Sequence, residues 1–135
     1  MAFYLDTSAL VKLVVAEAET EALRAWLAER EREPVSCDLV RTELSRAVRR
    51  SAPGRQLHVR AVLESITLLR VMTTTFEAAG RLDPDGLRSL DAIHVAAALE
   101  LGDDLEGFIA YDRRLVEAAE ANGIPVSAPG RSPKG

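Results

Sequence analysis

The chain has 135 residues, of which 47% are apolar and 28% charged, and its formal net charge is −4. A chain of this size and composition forms one globular domain with its own core, and its negative charge disfavours a protein that grips nucleic acid with its whole surface. The single cysteine, Cys37, excludes an internal disulfide, and no uncharged apolar run or basic leader indicates a membrane helix or a secretory signal. We therefore expect a cytoplasmic protein without a membrane segment.

The first half of the chain begins with an apolar segment that stops at an acid. Residues 2–5 predict a short buried strand, and Asp6, Thr7 and Ser8 can cap the helix that follows. In chain order, the predicted elements of this half are a strand at 2–5, a helix to about 16, a helix at 19–32, a strand at 34–36 and a helix at 39–50. Strands and helices therefore alternate from the N terminus onward.

The second half continues this alternation after a break at 51–54. Its predicted elements are a helix to about 69, a strand at 71–73, a short helix at 76–82, a long apolar helix at 87–101, a strand at 107–111, a helix at 113–121 and a strand at 124–126. The alternation predicts an α/β domain whose short, mostly parallel sheet is covered on both faces. We expect this domain to span 1–127 and a disordered tail to occupy 128–135, which is rich in Pro, Gly and Ser.

Four acids lie in apolar segments, where a solvated side chain is not expected: Asp6, Glu43, Asp91 and Asp112. Asp6 and Asp112 follow predicted strands, and ligands of parallel sheets bind beyond the carboxyl ends of strands. Glu43 lies on the apolar stripe of its predicted helix, and Asp91 lies in a segment that is apolar on nearly every side. Because an unpartnered buried ion costs several kcal/mol, four such positions favour a shared cation.

The oxygen-only chemistry of these side chains favours Mg²⁺ or Mn²⁺ over Zn²⁺. Each acid taken alone also has a structural interpretation, since Asp6 and Asp112 can be helix caps and an arginine can pair with Glu43. His94 lies one turn beyond Asp91 and could touch it, but no second histidine stands at ligand spacing. We therefore favour a hydrogen-bonded core histidine at position 94 over a metal ligand.

Four segments resemble, in their order and spacing, the motifs of the PIN-domain ribonucleases, and most closely those of the VapC toxins of bacterial type II toxin–antitoxin systems. They are YLDTSAL at 4–10, the helix that carries Glu43, SLDAIHVAAA at 89–98 and YDRRL at 111–115. The resemblance covers nearly the whole chain, and its first and third segments are the specific ones. One departure is Ala110, where many relatives have threonine or serine.

The resemblance implies a PIN-like three-layer α/β/α domain that acts as a magnesium-dependent endoribonuclease toxin, in which Mn²⁺ can replace Mg²⁺. Metal-activated water would cleave single-stranded regions of structured RNA such as tRNA or rRNA. The implied catalytic residues are Asp6, Glu43, Asp91 and Asp112. Asp6 and Asp91 would be the main metal ligands, the other two acids would act directly or through water, and Thr7 and Ser8 would support the site.

The resemblance also implies partners. They are the RNA substrate, a cognate VapB-like antitoxin that inhibits the toxin, and a second copy of the chain in a homodimer within a larger toxin–antitoxin assembly.

Two other enzyme classes with a strand-end aspartate do not fit the sequence. A haloacid-dehalogenase-like phosphatase needs a second acid where Ser8 stands, and a receiver domain needs a lysine near its last strand, where Lys134 in the tail cannot serve. A non-enzymatic alternative stays open: a PIN-like binding module with weak catalysis, which acts through antitoxin or RNA binding. Weak metal binding would favour that alternative.

Overall fold

The computed structural model describes residues 1–131 and contains a sheet of five strands. The strands are β1 (Ala2–Leu5), β2 (Glu33–Cys37), β3 (Thr67–Leu69), β4 (Leu105–Ile109) and β5 (Val126–Ser127). All neighbouring strands run parallel, in the order β3-β2-β1-β4-β5. The order reverses between β1 and β4, so the carboxyl ends of these two strands lie side by side at the point where parallel sheets bind ligands.

Helices cover both faces of this sheet. They are α1 (Thr7–Val14), α2 (Thr20–Ala28), α3 (Leu39–Ser51), α4 (Gln56–Glu64), α5 (Thr73–Ala79), α6 (Ser89–Leu99) and α7 (Arg113–Ala121). Side chains alternate along β1, so Phe3 and Leu5 pack into one core with α1 to α4, whereas Tyr4 packs into a second core with α6 and α7. The predicted three-layer α/β/α class with a parallel sheet is confirmed.

The third strand lies earlier than the sequence predicts. The apolar run that begins in α4 continues to Val71 without a boundary, and the pattern placed the strand at 71–73. In the structure α4 ends at Glu64, and Thr67–Leu69 pairs with Val35–Cys37. Leu68 packs against the first core and Leu69 against the second, so the strand supplies both faces of the sheet.

Residues 128–131, the first part of the predicted disordered tail, lie against the domain. Tyr111 Oη donates to the Pro129 carbonyl oxygen at 2.7 Å, and Arg131 Nη1 donates to the Tyr111 carbonyl oxygen at 2.6 Å. Gly130 has φ 90°, and an added Cβ would lie 2.8 Å from the Ala22 Cβ, so this position needs glycine. The ordered domain thus extends to at least residue 131, and the rest of the predicted tail, 132–135, lies outside the described residues.

Tyr111→Phe should lower the free energy of unfolding by about 1 kcal/mol, because it removes the hydroxyl that holds Pro129 and keeps the ring. Urea unfolding measures the change. If the unfolding midpoint does not move, the contact between Tyr111 and residues 128–131 contributes nothing to stability.

Candidate active site

Asp6 joins the end of β1 to the start of α1. Its backbone N–H donates to the Ile109 carbonyl oxygen at 3.2 Å, which places Asp6 beside the end of β4. Its Oδ1 accepts from Ser8 Oγ at 2.7 Å and from the Ala9 N–H at 3.0 Å, so the side chain caps α1. The residue is only 2% exposed. Burial raises the pKa of Asp6 from 3.8 to about 6, and the two hydrogen bonds offset that effect only in part.

Asp112 follows β4 as Asp6 follows β1. Its Oδ1 accepts from the Arg114 N–H at 2.9 Å and caps α7, while the side chain stays exposed. Its negative charge contributes to the raised pKa of both Asp6 and Asp91. The strand-end prediction and the helix-cap interpretation therefore describe the same two residues, because a helix begins where each strand ends.

Asp91 lies in the first turn of α6 and is half-buried. Burial raises its pKa above the ordinary value of 3.8, and the charges of Asp112 and Glu43 add to the rise. The charges of His94 and Arg88 act in the opposite direction. The possible contact between Asp91 and His94 does not form, since both ring nitrogens of His94 face other partners.

Glu43 is held from two sides. His94 Nε2 donates to its Oε1 at 2.6 Å, and Thr7 Oγ1 donates to the same oxygen at 2.7 Å. Burial raises the pKa of Glu43, but the His94 hydrogen bond and charge outweigh burial and bring the pKa below its ordinary 4.5. Glu43 thus faces inward as predicted, and its partner is a histidine rather than an arginine.

His94 is a core histidine with both ring nitrogens engaged. It is 2% exposed, and its Nδ1 is hydrogen-bonded with Tyr4 Oη at 2.7 Å. Burial lowers the imidazole pKa, but contacts with Cys37 and Glu43 raise it above the ordinary 6.5. The sequence placed His94 in the core but missed Tyr4 and Glu43 as its partners. The only hint was a histidine inside an apolar helix.

Thr7 and Ser8, the predicted supporting residues, each contact a different acid. Thr7 donates to Glu43, and Ser8 donates to Asp6. Ser8 Oγ also accepts from the Tyr111 N–H at 2.8 Å, so one hydroxyl joins the segments that follow β1 and β4. These contacts fix the carboxylates before any ligand binds.

The four acids are near enough to influence one another's charge. Within residues 1–131, however, no group of three or more His, Cys, Asp or Glu side chains is arranged to hold a metal ion. The donor chemistry still fits a divalent cation, because every acid offers oxygen ligands and the Asp6 carboxylate is buried without an ion pair within residues 1–131. The chemistry of these side chains is therefore suited to Mg²⁺.

Comparison with known proteins decides the family. The sequence pattern of the PIN domain matches residues 3–121. The ribonuclease VapC46 of Mycobacterium tuberculosis is 45% identical over 129 residues, which are 95% of this chain and 98% of that protein. The chain belongs to the VapC family of PIN-domain ribonucleases. A second VapC relative of M. tuberculosis, ribonuclease VapC47, is 37% identical over 131 residues, 94% of this chain and 96% of its own length.

Solved structures show the same fold in other VapC proteins. VapC20 of M. tuberculosis, described as a toxin that cleaves the sarcin-ricin loop, aligns with a TM-score of 0.75 and 18% identity over 94% of this chain and 99% of its own. VapBC2 of Rickettsia felis, bound to a promoter DNA fragment, aligns with a TM-score of 0.64 and 12% identity over 96% of this chain and 99% of that chain. These likenesses confirm the PIN-like fold.

None of the helices within residues 1–131 is both long enough and apolar enough to cross a membrane.

Proposed function

We propose that this VapC-family chain is a metal-dependent endoribonuclease toxin that hydrolyses single-stranded regions of structured RNA, such as tRNA or rRNA. The observation that carries the proposal is that Asp6 and Asp112 follow the neighbouring strands β1 and β4, and that the charges of Asp112 and Glu43 act on Asp91. Membership of a family of ribonucleases supports the reaction type. The acidic residues support metal dependence, since carboxylates without a cation repel the phosphates of RNA.

Mg²⁺, or Mn²⁺ in its place, would be held mainly by Asp6 and Asp91, with Glu43 and Asp112 as further ligands directly or through water. Such an ion, when bound, supplies the charge that activates water and offsets negative charge on the phosphate. The chain contributes the orientation. Hydrogen bonds from Ser8 and the Ala9 N–H fix Asp6.

Glu43 is oriented in the same way on the other side of the site. His94 and Thr7 both bind its Oε1, which leaves Oε2 without a hydrogen bond from the described residues. Asp112 is exposed, so the acidic site is open to solvent and to substrate on that side.

We further propose that a cognate VapB-like antitoxin inhibits the chain and that the toxin forms a homodimer within a larger complex in the cytoplasm. The names of its VapC relatives and the fold shared with VapBC2 support the antitoxin part of this proposal.

The decisive experiment is cleavage of total bacterial RNA by the purified chain in Mg²⁺, in Mn²⁺ and in chelator. We expect discrete cuts with either metal and none in chelator. Asp91→Asn should reduce cleavage by at least about a hundredfold, because it removes a main ligand. Asp103→Asn is the matched control, since this exposed aspartate precedes β4 at the opposite end of that strand.

Undiminished cleavage in chelator would contradict the metal-dependent mechanism.

Thermal unfolding in a series of Mg²⁺ concentrations distinguishes the nuclease from the alternative, a binding module with weak catalysis. If the protein binds the ion, its free energy of unfolding should rise by about 2.7 kcal/mol when the Mg²⁺ concentration is a hundred times the Kd. Intact RNA together with weak Mg²⁺ binding would favour the module.

A further inference from the structure

A cleft beside Asp91 contains two arginines that the proposed mechanism does not use. The cleft has a volume of about 550 Å³ and lies between the loop at 84–87, the first turn of α6 and the outer face of α7. Its polar side chains are those of Arg88, Asp91, Arg114 and Glu117. One of the candidate metal ligands therefore forms part of the wall of a cleft that contains two arginines.

The guanidinium groups of this cleft are available to a ligand. Arg88 and Arg114 are exposed, and neither forms an ion pair with an acid of residues 1–131. Arg113 differs from its neighbour, because it pairs with Glu117 at 3.8 Å and does not line the cleft. Glu117 is thus engaged with Arg113.

We infer that this cleft binds the backbone of single-stranded RNA, with Arg88 and Arg114 holding a phosphate next to the bond that is cut at the acids. The inference rests on the proposed ribonuclease function and adds the residues that position its substrate. A guanidinium fork matches two phosphate oxygens, and it stays charged at every working pH.

Arg88 and Arg114 can offset the repulsion between the acids and the RNA phosphates. Asp6, Asp91 and Asp112 gather negative charge at the place where a phosphate must approach. Two cations at the rim offset this repulsion for the neighbouring phosphate and so bring the strand to the site. Because the chain's net charge is −4, attraction of RNA has to come from local groups of positive charge rather than from the surface as a whole.

The rest of the cleft suggests that it reads shape rather than sequence. Its other walls are glycine and apolar side chains: Pro84, Gly86, Leu87, Ala118 and Ala121. These side chains have no groups that hydrogen-bond to base edges, whereas phosphate contacts position a strand without reading its sequence. The two arginines should therefore support binding of every RNA sequence equally.

The test is binding of a fluorescent single-stranded RNA to the full chain in chelator, followed by anisotropy over a salt series. Arg88→Gln/Arg114→Gln should weaken binding of several unrelated sequences alike and reduce the slope of log Kd against log salt by about 0.7, the value for one phosphate contact. The matched control, Arg30→Gln/Arg60→Gln, removes the same charge from exposed arginines that pair with Glu106 and Glu64 and do not line the cleft. Its slope should stay close to that of the unmodified chain.

Equal losses in the two double variants would overturn the cleft in favour of diffuse attraction, and so would an unmodified chain that binds no RNA. Cleavage of the same RNA in Mg²⁺ separates the cleft from the nuclease. If RNA binding depends on Arg88 and Arg114 but the RNA is not cleaved, the cleft binds RNA and the proposed ribonuclease function is wrong. If Arg88→Gln/Arg114→Gln cleaves RNA as fast as the unmodified chain, the ribonuclease function stands and the cleft does not position the substrate. Arg88→Lys/Arg114→Lys should restore most of the slope, and the single glutamine variants carry the test if the double variant does not fold.

Discussion

Asp6→Asn should abolish RNA cleavage and raise the free energy of unfolding of the metal-free protein. Both effects have one cause, a carboxylate that is 2% exposed and has no ion pair within residues 1–131. Asparagine keeps an oxygen that accepts from Ser8 and the Ala9 N–H, so the cap of α1 survives. It loses the charge that burial disfavours and that a cation requires. Cleavage should fall by at least about a hundredfold.

The stability effect has a defined pH dependence. The pKa of Asp6 rises from 3.8 to about 6 on folding, so between these values the folded chain keeps a proton that the unfolded chain has lost. The free energy of unfolding therefore falls as the pH rises through this window, by about 3 kcal/mol in total. Below the window Asp6 is protonated in both states and contributes nothing.

Urea unfolding of the two proteins in chelator, across this window, measures the effect as a difference. Asp91 also has a raised pKa, so it adds the same pH dependence to the free energy of unfolding of both proteins. The difference between the two proteins therefore reports Asp6 alone. The variant should match the unmodified chain in acid and exceed it near neutral pH. Asp6→Ala is the matched control, because it also removes the cap and should lose about 1 kcal/mol of the gain. Equal stability of the asparagine variant at every pH would mean that water reaches the Asp6 carboxylate.

The positions of Asp6 and Asp112 could be predicted because local pattern determines them. Each follows a short apolar strand and begins a helix, so the same residues that mark a strand end also mark an active-site edge. Which strands become neighbours is a long-range property. That β4 lies beside β1 follows from the pairing of Phe3 with Gly107, which no local pattern contains.

The parts that sequence reasoning missed all depend on packing between distant segments. The position of β3 could not be read because its apolar run serves two cores at once. The cleft with Arg88 and Arg114 combines the loop before α6 with one face of α7. Nothing in the local sequence distinguishes Arg88 from the other arginines. Packing geometry decides such features.

The contact between Glu43 and His94 also joins distant segments, α3 and α6. His94→Phe should lower the free energy of unfolding by about 3 kcal/mol, because it removes the charged partner of the Glu43 carboxylate and the hydrogen-bond partner of the Tyr4 hydroxyl. This value is at the low end for a buried pair, since the Glu43 side chain keeps 23% exposure to water. Urea unfolding gives the loss, and His58→Phe on the exposed face of α4 is the control.

The double variant His94→Phe/Glu43→Gln tests whether the contact itself is responsible. If it is, the two losses should not add, and the coupling should reach about 1 to 3 kcal/mol. Strict additivity would reduce His94 to a packing residue. The stabilisation by this ion pair should persist across neutral pH. The raised pKa of His94 keeps the imidazole charged until the pH becomes alkaline, and the lowered pKa of Glu43 keeps the carboxylate charged until the pH becomes acidic. Mn²⁺ affinity, measured by electron paramagnetic resonance, should fall about tenfold to a hundredfold in His94→Phe, because Glu43 keeps only its hydrogen bond from Thr7 and its second oxygen is less firmly oriented.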